Sequence, residues 1–249
     1  MFGRLFGAKT PILDSLPEVR GKYIENAKLA KHTWFGVGGP AEVLFLPEDA
    51  DDLKTFLMRK PAAIPVTVIG GGSNLLIRDG GIPGVVVKLD APAFRQVKFD
   101  GAEVTVGAGL KNSDLKKALI DNGVGGLEFI CSVPGRIGGL LRTNAGCFGK
   151  TVSDVFVRAH IMNDWGQIYE TGAEDFNFSY RSSMFPENWI VLDATLKGVK
   201  AAPEEIRKTM DEQLAYRLAH QPINKKTAGS TFKNPEGLQA WKLIKEAGC

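Results

Sequence analysis

Val66-Thr-Val-Ile-Gly-Gly-Gly-Ser-Asn74 is a short apolar segment that runs directly into three consecutive glycines. Because glycine has no Cβ, the backbone at this point can adopt a positive φ and approach a ligand closely. The amide N–H groups of such a turn bind anions, phosphate above all. A structural turn between two strands explains the same glycines. The segment alone therefore leaves both interpretations open, although Ser73 and Asn74 add two donors for phosphate.

A second glycine-rich stretch reads Val133-Pro-Gly-Arg-Ile-Gly-Gly-Leu-Leu-Arg-Thr-Asn-Ala-Gly-Cys-Phe-Gly149. Its glycines allow the backbone to approach a flat ligand, and Arg142 and Asn144 add polar groups. Two such stretches in one chain predict a ligand with two phosphates. The first stretch has neither the spacing of a dinucleotide fingerprint of the Rossmann type nor the Gly-Lys-Ser/Thr of a P-loop.

The apolar segments around these two stretches predict an α+β fold and not a doubly wound sheet. Strands are predicted at residues 41–46, 66–69, 75–78, 85–89, 94–99, 103–106, 155–162, 167–170 and 189–196, with a hairpin turn at Asp100-Gly101. Helices are predicted from Pro47 to Met58, from Asn112 or Ser113 to Ile120, from Pro203 to about Gln221, and over Leu238–Ala247.

These elements group into three regions. Residues 1–32 are predicted to be a leader, a helix followed by a loop. Residues 33–200 form one domain of two α/β subdomains, divided near residue 92. Residues 201–249 are the opening part of a further domain, and Ile206, Met210, Leu214 and Leu218 predict one apolar stripe on its first helix.

The overall composition restricts the classes of function. The chain has 249 residues, of which 44% are hydrophobic and 24% charged, and a formal net charge of +3. This mild positive charge suits a small anionic ligand and lacks the clustered basic face of a nucleic-acid-binding protein. No apolar run approaches the roughly 20 residues of a membrane span. We expect a cytoplasmic monomer without a nucleic-acid or membrane partner. We expect no bound metal, because the few cysteines and histidines are scattered along the chain.

Further motifs give the pattern a family resemblance. They are Thr33-Trp-Phe-Gly-Val-Gly-Gly-Pro-Ala41, Gly126-Leu-Glu128, Asn144-Ala-Gly146, Tyr180-Arg181, Gln221-Pro222 and Gly229-Ser-Thr-Phe-Lys-Asn-Pro235. With the two glycine-rich stretches, and in this order, they resemble the UDP-N-acetylenolpyruvoylglucosamine reductases, flavin enzymes of peptidoglycan precursor synthesis. The resemblance implies an FAD-binding fold of the vanillyl-alcohol-oxidase (PCMH) type and an incomplete C-terminal α/β substrate-capping domain. Because no inserted loop separates Trp189–Leu196 from Pro203, the chain is similar to the family's shorter, second type.

The resemblance also implies cofactors and their site. FAD is expected to bind non-covalently, and NADPH is the co-substrate that reduces it. The implied FAD-binding residues are Gly70, Gly71, Gly72, Ser73, Asn74, Pro134, Gly135, Ile137, Gly138, Gly139, Asn144 and Gly146. Their glycine amides would hold the pyrophosphate and the flavin ring.

The catalytic residues follow from the same resemblance. Arg181 matches the arginine that stabilises the developing enolate, a role that suits a planar guanidinium beside a carboxylate. Ser230 matches the serine that protonates the carbanion. The implied residues for the UDP-sugar substrate are Tyr180, Arg217, Gln221, Lys225 and Asn234.

Three departures from the family pattern carry expectations of their own. The family places a catalytic glutamate in a segment that would follow Gly248-Cys249, so a chain of 249 residues is expected to be severely impaired. Phe148 stands where relatives often have a tyrosine and offers no hydroxyl. Arg136 and Cys147 lie within the second stretch, and a free cysteine usually packs as a small apolar residue without linking to flavin.

Two alternative functions remain open from the sequence alone. One is another FAD oxidoreductase on the same fold, whose reduced flavin would act on a different substrate. The other is an inactive, truncated FAD-binding protein, which would bind FAD without oxidising NADPH.

Overall fold

The computed structural model describes residues 12–248 except 185, 224 and 228. Its two larger sheets have four and five strands, and helices pack against them. The α+β prediction without a doubly wound sheet is confirmed. Residues 1–11 of the predicted leader lie outside the described residues.

The first sheet contains the strands β1 (Lys22–Lys28), β2 (Pro40–Leu46), β3 (Val66–Val68) and β4 (Ile82–Val87) in the order β1-β2-β4-β3. The strand β1 is antiparallel to β2, whereas β4 is parallel to both β2 and β3. Helix α1 (Ala50–Arg59) connects β2 to β3. The side chain of Asp49 caps this helix by accepting a hydrogen bond from the Asp52 amide at 2.9 Å, as acidic residues at a helix N-terminus commonly do.

The prediction of a helix followed by a loop over residues 1–32 is wrong for the described part, which contains the short 3₁₀ helices Ile12–Ser15 and Leu29–His32 and a strand between them. Lys22–Lys28 is a strand of the first sheet, so the predicted boundary at residue 33 falls between two paired strands. The buried Asp52 carboxylate explains the attachment, because it accepts hydrogen bonds from the amides of Arg20 at 2.7 Å and Gly21 at 2.9 Å. These contacts join residues far apart in the chain, and local sequence gives no sign of them.

The remaining elements are numbered along the chain. They are β5 (Val97–Asp100), β6 (Glu103–Gly107), α2 (Leu115–Asn122), β7 (Val124–Gly125), α3 (Glu128–Ser132), α4 (Ile137–Arg142), β8 (Gly146–Cys147), β9 (Lys150–Thr151), β10 (Phe156–Met162), β11 (Ile168–Thr171), α5 (Ala173–Phe176), β12 (Ile190–Lys197), β13 (Val199–Lys200), α6 (Pro203–His220) and α7 (Ala240–Glu246).

The second sheet has the order β11-β10-β12-β6-β5, and all of its pairs are antiparallel. The predicted hairpin is confirmed, since Asp100 pairs with Glu103 and Gly101 has a φ of +60°. The predicted subdomain division near residue 92 falls in the connection between β4 and β5, which belong to different sheets.

One large hydrophobic core joins the two sheets. Alternate residues of β2 and β4, such as Val43, Phe45 and Val87, pack with the inner face of the second sheet and with α1 to α4. The other face of the first sheet forms a smaller cluster that includes Leu44, Ile69 and Val86. This alternation is that of a strand buried on both faces. Ile69 therefore anchors the start of the first glycine-rich stretch.

Two local predictions are wrong. Leu75–Arg78 is irregular and not a strand; Ile77 packs in the smaller cluster while Leu76 is exposed. The sequence predicts no helix within the second glycine-rich stretch, yet Ile137–Arg142 forms helix α4. Burial of Ile137, Leu140 and Leu141 outweighs the low helix propensity of the two glycines between them.

The C-terminal region is only partly packed. Helix α6 buries Ile206 and Met210 and packs on α2 and α3. The second half of the predicted stripe, Leu214 and Leu218, is exposed at 47% and 53%. Helix α7 has no buried residue, and its Trp241 is 60% exposed.

We predict that the amides of α7 exchange with solvent much faster than those of β10 and β12. Opening a helix without buried side chains exposes little apolar surface, so its opening costs little free energy. Hydrogen exchange followed by mass spectrometry measures both regions in one experiment. Exchange in α7 as slow as in the two central strands would contradict this prediction.

Candidate functional site

The first glycine-rich stretch is a turn, Gly70–Asn74, that follows β3 and that we call the glycine turn. Among the described residues, no hydrogen-bond acceptor is assigned to any of its backbone amides. The Gly72 carbonyl accepts a hydrogen bond from the Trp34 amide at 3.0 Å, and Gly72 has a φ of +64°. A row of free amides on a fixed turn is an anion-binding arrangement.

The second glycine-rich stretch, Val133–Gly149, approaches the glycine turn closely; we call it the glycine loop. A Cβ built on Gly71 would lie 3.0 Å from the Cα of Gly135, and Gly135 has a φ of +121°. The Ser73 hydroxyl donates to the Pro134 carbonyl at 3.0 Å. Side chains larger than hydrogen at both glycines would separate the two segments.

Two residues of the glycine loop do not present their amides to a ligand. The Ile137 amide donates to the Leu110 carbonyl at 3.2 Å, and the Gly138 amide donates to the Ala108 carbonyl at 3.0 Å. The prediction that these two amides hold the cofactor therefore needs correction, because both bonds fasten α4 to the chain after β6. A Cβ on Gly139 would meet nothing within 4 Å, so this residue faces open space.

The far end of the glycine loop meets Arg181. The Arg181 guanidinium donates to the Gly146 carbonyl at 3.3 Å and lies 5.7 Å from the centre of the Tyr180 ring. The side chain of the buried Asn144 donates to the Ser179 carbonyl at 3.0 Å. Asn144 and Arg181 have φ values of +39° and +58°, and Phe148 has +54°. Left-handed conformations of non-glycine residues cluster at functional sites.

A second arginine, Arg217, lies near the hairpin that β8 and β9 form. The Arg217 guanidinium donates to the Ser132 carbonyl and, at 3.0 Å, to the Gln221 side chain. Burial raises the pKa of the Cys147 thiol to about 11, although the positive charges of Arg217 and Arg181 act in the opposite direction. Both guanidinium groups are thus close enough to Cys147 to influence it, and together they favour an anionic ligand.

The segment that carries Ser230 lies against the glycine turn. The Trp34 indole donates to the Lys225 carbonyl at 3.3 Å. A Cβ on Gly229 would lie 3.3 Å from the Ser73 carbonyl and 3.4 Å from the Asn74 side-chain oxygen. Ser230 follows Gly229 and is exposed. Asn234 serves a different purpose here, because its side chain accepts the Ala240 amide at 3.0 Å at the start of α7.

The structure thus brings most predicted site residues into two neighbouring groups. Pro134, Gly135, Lys225 and Gly229 surround the glycine turn, Gly70–Asn74. Asn144, Gly146, Tyr180, Arg181, Arg217 and Gln221 surround the β8–β9 hairpin. Ile137 and Gly138 contribute to packing, and Asn234 contacts α7.

A charged cluster beneath these groups was missed by sequence reasoning. Lys88 bonds Asp90 at 2.9 Å, and Asp90 forms a second ion pair with Arg136. Lys88 also lies 3.3 Å from the Nδ1 atom of His32. We call Lys88, Asp90 and Arg136 the ionic cluster. The residues Lys88-Leu-Asp90 follow β4, and only the fold brings them to the glycine loop.

Within the ranges that the structure covers, no group of histidine, cysteine, aspartate or glutamate side chains is arranged to hold a metal ion. Over the same ranges, no helix combines the length and the apolar character that a bilayer crossing requires.

Comparisons with known proteins agree with this geometry. A family model described as "FAD binding domain" matches residues 41–172. A second, described as "UDP-N-acetylenolpyruvoylglucosamine reductase, C-terminal domain", matches residues 221–249. The enzyme of that name from Paramagnetospirillum magneticum is 48% identical over 236 residues, covering 95% of this chain and 76% of the relative. Its counterpart from Azorhizobium caulinodans is 45% identical over 235 residues, covering 94% and 76%.

Solved structures give the same result. The UDP-N-acetylenolpyruvylglucosamine reductase of Thermus caldophilus superimposes with a TM-score of 0.78 at 32% identity, covering 93% of this chain and 81% of that one. The 6-hydroxy-D-nicotine oxidase of Arthrobacter nicotinovorans gives 0.56 at 15% identity, covering 78% and 44%. At that identity the second likeness concerns the fold alone, so an oxidase of this wider group is not favoured.

The residues present fit FAD. The free amides of Gly70–Asn74 suit a diphosphate. The close approach of Gly71 to Gly135 and the open space at Gly139 leave room for a ligand along the backbone. The high pKa of Cys147 keeps its thiol protonated at neutral pH, which disfavours a covalent link to flavin.

We predict that Gly71→Ala weakens FAD binding by roughly tenfold to 100-fold. The added methyl group would lie 3.0 Å from the Gly135 Cα and would push the glycine turn and glycine loop apart. Such overpacking costs about 1–3 kcal/mol. Quenching of flavin fluorescence on binding to the apoprotein gives the dissociation constant.

Gly80→Ala is the matched control, since its Cβ would meet nothing within 4 Å. We expect this variant to bind FAD as the unmodified chain does. Equal affinities of the two alanine variants would contradict the proposed role of the close approach.

We predict that alkylation of native Cys147 by iodoacetamide accelerates through pH 10 without levelling off. Only the thiolate reacts, and burial raises the pKa of this thiol to about 11. Peptide mapping by mass spectrometry after timed labelling at several pH values isolates this residue. The same peptide in urea should level off near its ordinary pKa of about 8.5. A plateau below pH 9 in the native protein would refute the prediction.

Proposed function

Because this chain belongs to the family of UDP-N-acetylenolpyruvoylglucosamine reductases, we propose which of its residues carry out the family's reaction. The family function is reduction of UDP-N-acetyl-3-O-(1-carboxyvinyl)glucosamine to UDP-N-acetylmuramate for peptidoglycan synthesis. FAD, reduced by NADPH, supplies the hydride for this reduction. The chain spans 76% of the length of the first two relatives named above.

The glycine turn holds the FAD diphosphate. Its support is the row of backbone amides at Gly70–Asn74, for which the described residues offer no acceptor. Pro134 and Gly135 form the opposite wall, and Gly139, Asn144 and Gly146 continue it toward the flavin ring. Ile137 and Gly138 act indirectly, because their amides hold α4 in place.

Arg181 stabilises the negative charge that develops on the substrate. When hydride adds to the methylene carbon, charge builds up on the neighbouring carbon and spreads into the carboxylate. A guanidinium pairs with a carboxylate in plane through two N–H groups. The left-handed conformation of Arg181 and its bond to the Gly146 carbonyl fix the side chain beside the glycine loop. A fixed cation costs no reorganisation as the charge appears.

Ser230 donates the proton to the carbanion. A serine hydroxyl hardly ionises in water, but it can protonate a carbanion, because the conjugate acid of the carbanion has a much higher pKa. Its support is the position of Gly229 against Ser73 and Asn74, which brings the next residue to the edge of the glycine turn. Ser230 is exposed, so its hydroxyl is available to a ligand.

The UDP-sugar lies between the two groups of site residues. Arg217 and Gln221 are bonded to each other at the end of α6, next to Cys147. Tyr180 and Lys225 are both exposed. Asn234 contributes through its amide nitrogen, since its oxygen is bonded to Ala240. We further propose a cytoplasmic monomer without a nucleic-acid partner, which the modest net charge of +3 supports.

Two half-reactions test the proposal. NADPH should bleach the bound flavin of this chain, and in a chain extended to the length of its relatives UDP-N-acetyl-3-O-(1-carboxyvinyl)glucosamine should restore the colour. FAD binding without bleaching would favour the inactive FAD-binding alternative. Bleaching without reoxidation by this substrate would favour another oxidoreductase of the same fold.

We predict that Ser230→Ala slows reoxidation by the substrate by about 10²–10⁴-fold, the usual effect of removing a positioned acid. Bleaching by NADPH should be unaffected, because that step needs no proton from Ser230. Stopped-flow absorbance of the flavin measures both rates.

Thr231→Ala removes the neighbouring hydroxyl and serves as the control. It should leave both half-reactions within a few-fold of the unmodified chain. A Ser230→Ala variant that reoxidises at the normal rate would contradict the assigned proton donor.

A further inference from the structure

The ionic cluster brings three charged side chains into a mostly buried space. The side chains of Lys88 and Arg136 are each 10% exposed, and that of Asp90 is 25% exposed. The Arg136 guanidinium also donates to the Gly109 carbonyl. Burial acts to raise the pKa of Asp90, but the hydrogen bond from Lys88 and the charge of Arg136 outweigh it, so the pKa is lowered. Asp90 is therefore an anion here.

The cluster carries an excess of positive charge. Two cations, Lys88 and Arg136, face one carboxylate, Asp90. Among the neighbouring groups that influence them, Arg95 and Lys31 are further cations and Asp114 is a further anion. His32 adds no charge near neutral pH, because burial and Lys88 lower its pKa. At least one positive charge remains without a counterion.

The stem of Arg136, one of the two cations, packs against the glycine turn. A Cβ on Gly70 would be 3.9 Å from the Arg136 Cβ, and one on Gly71 would be 3.7 Å from the Arg136 Cγ. His32, which Lys88 contacts, touches Gly72 through its own carbonyl oxygen. Both cations are thus connected to the turn whose amides lack acceptors.

A buried donor points to the same need for an anion. Within the described part of the chain, the Nε atom of Arg136 is fully buried and has no hydrogen-bond partner, and the same holds for the Oδ1 atom of Asp90, which contacts Arg136 only as an ion pair. Buried donors are nearly always satisfied, and a partly compensated buried charge is costly. An anion bound at the glycine turn would reduce the cost of keeping Lys88 and Arg136 in the interior.

We propose that the ionic cluster supplies the electrostatic part of the FAD diphosphate site, with the diphosphate neutralising the excess charge of Lys88 and Arg136. Asp90 positions both cations and reduces their mutual repulsion. None of the three is a catalytic residue, because their contacts are with the turn and the loop. The inference rests on the proposed location of the diphosphate at Gly70–Asn74.

A purely structural cluster has a different consequence. If it only held the glycine loop against β4, its loss would weaken every flavin that uses the site. If it balances the charge of the diphosphate, its loss would weaken FAD binding but leave the binding of riboflavin unchanged, because riboflavin has the same ring and no phosphate. The ratio of the two affinities therefore separates charge compensation from loop positioning.

The experiment measures FAD and riboflavin binding to the apoprotein by fluorescence quenching. The variants are Arg136→Met and Lys88→Met, which keep much of the side-chain volume and remove the charge. We expect each to weaken FAD by about tenfold to 100-fold, as for loss of a charged hydrogen-bonding group. Riboflavin affinity should change less than about threefold. Lys88→Arg should restore FAD binding.

Lys117→Met is the control, since it removes the same charge from a side chain that is 86% exposed. It should bind both flavins normally. Equal weakening of FAD and riboflavin by the methionine variants, or unchanged FAD affinity, would overturn the inference. Equal binding of FAD and riboflavin by the unmodified apoprotein would instead contradict the proposed diphosphate site at Gly70–Asn74, on which the inference rests.

Asp90→Asn tests the inference with the opposite change and does not depend on the methionine variants folding. It raises the positive excess by one charge, so inorganic pyrophosphate should bind the FAD-free variant more tightly than it binds the unmodified apoprotein, as isothermal titration calorimetry measures. A structural role for Asp90 predicts weaker pyrophosphate binding, and that result would overturn the assignment.

Discussion

The close approach of Gly71 to Gly135 is the constraint on which the site depends. The two glycines are far apart in the chain, since Gly71 follows β3 and Gly135 precedes α4. A Cβ on Gly71 would lie 3.0 Å from the Gly135 Cα. The Ser73 bond to Pro134 adds a direct link, worth about 1 kcal/mol if typical. The two segments are held by different clusters, the glycine turn by Ile69 in the smaller cluster and the glycine loop by Ile137 in the large core, while no described residue accepts from the amides of the turn.

Around this contact the chain arranges charge in two places. The ionic cluster lies behind the glycine turn, buried and partly compensated. Arg181 and Arg217 lie at the other end, near Cys147, where they are accessible to a ligand. This distribution suits two anionic groups: the diphosphate of FAD at the glycine turn and the carboxylate of the substrate at the two arginines. Lys225 and Gly229, which precede Ser230, lie at the glycine-turn end, where they contact Trp34 and Ser73.

Sequence alone predicted the parts of the fold that have local causes. Apolar alternation predicted β2, β10 and β12, and Asp100-Gly101 predicted its hairpin. The predictions from sequence were wrong for elements whose structure depends on contacts between distant residues. The strand β1 depends on the distant Asp52, helix α4 on burial of its apolar residues, and Leu75–Arg78 packs without pairing.

The site was predictable in its motifs and not in its electrostatics. The glycines are recognisable because their residue type suits a close backbone approach to a ligand, whereas Arg181 was indicated only by the family resemblance. The ionic cluster joins residues 88, 90 and 136, and no spacing rule links them. The engagement of the Ile137 and Gly138 amides also follows only from the folded chain.

The central claim is that the amides of Gly70–Asn74 bind the FAD diphosphate. Hydrogen exchange of these five residues, compared in apoprotein and FAD-loaded protein, tests it directly. We expect exchange at Gly70–Asn74 to slow markedly on loading, while the amide of Gly101, in a distant hairpin, stays unchanged. Exchange at the glycine turn that is the same with and without FAD would contradict the account.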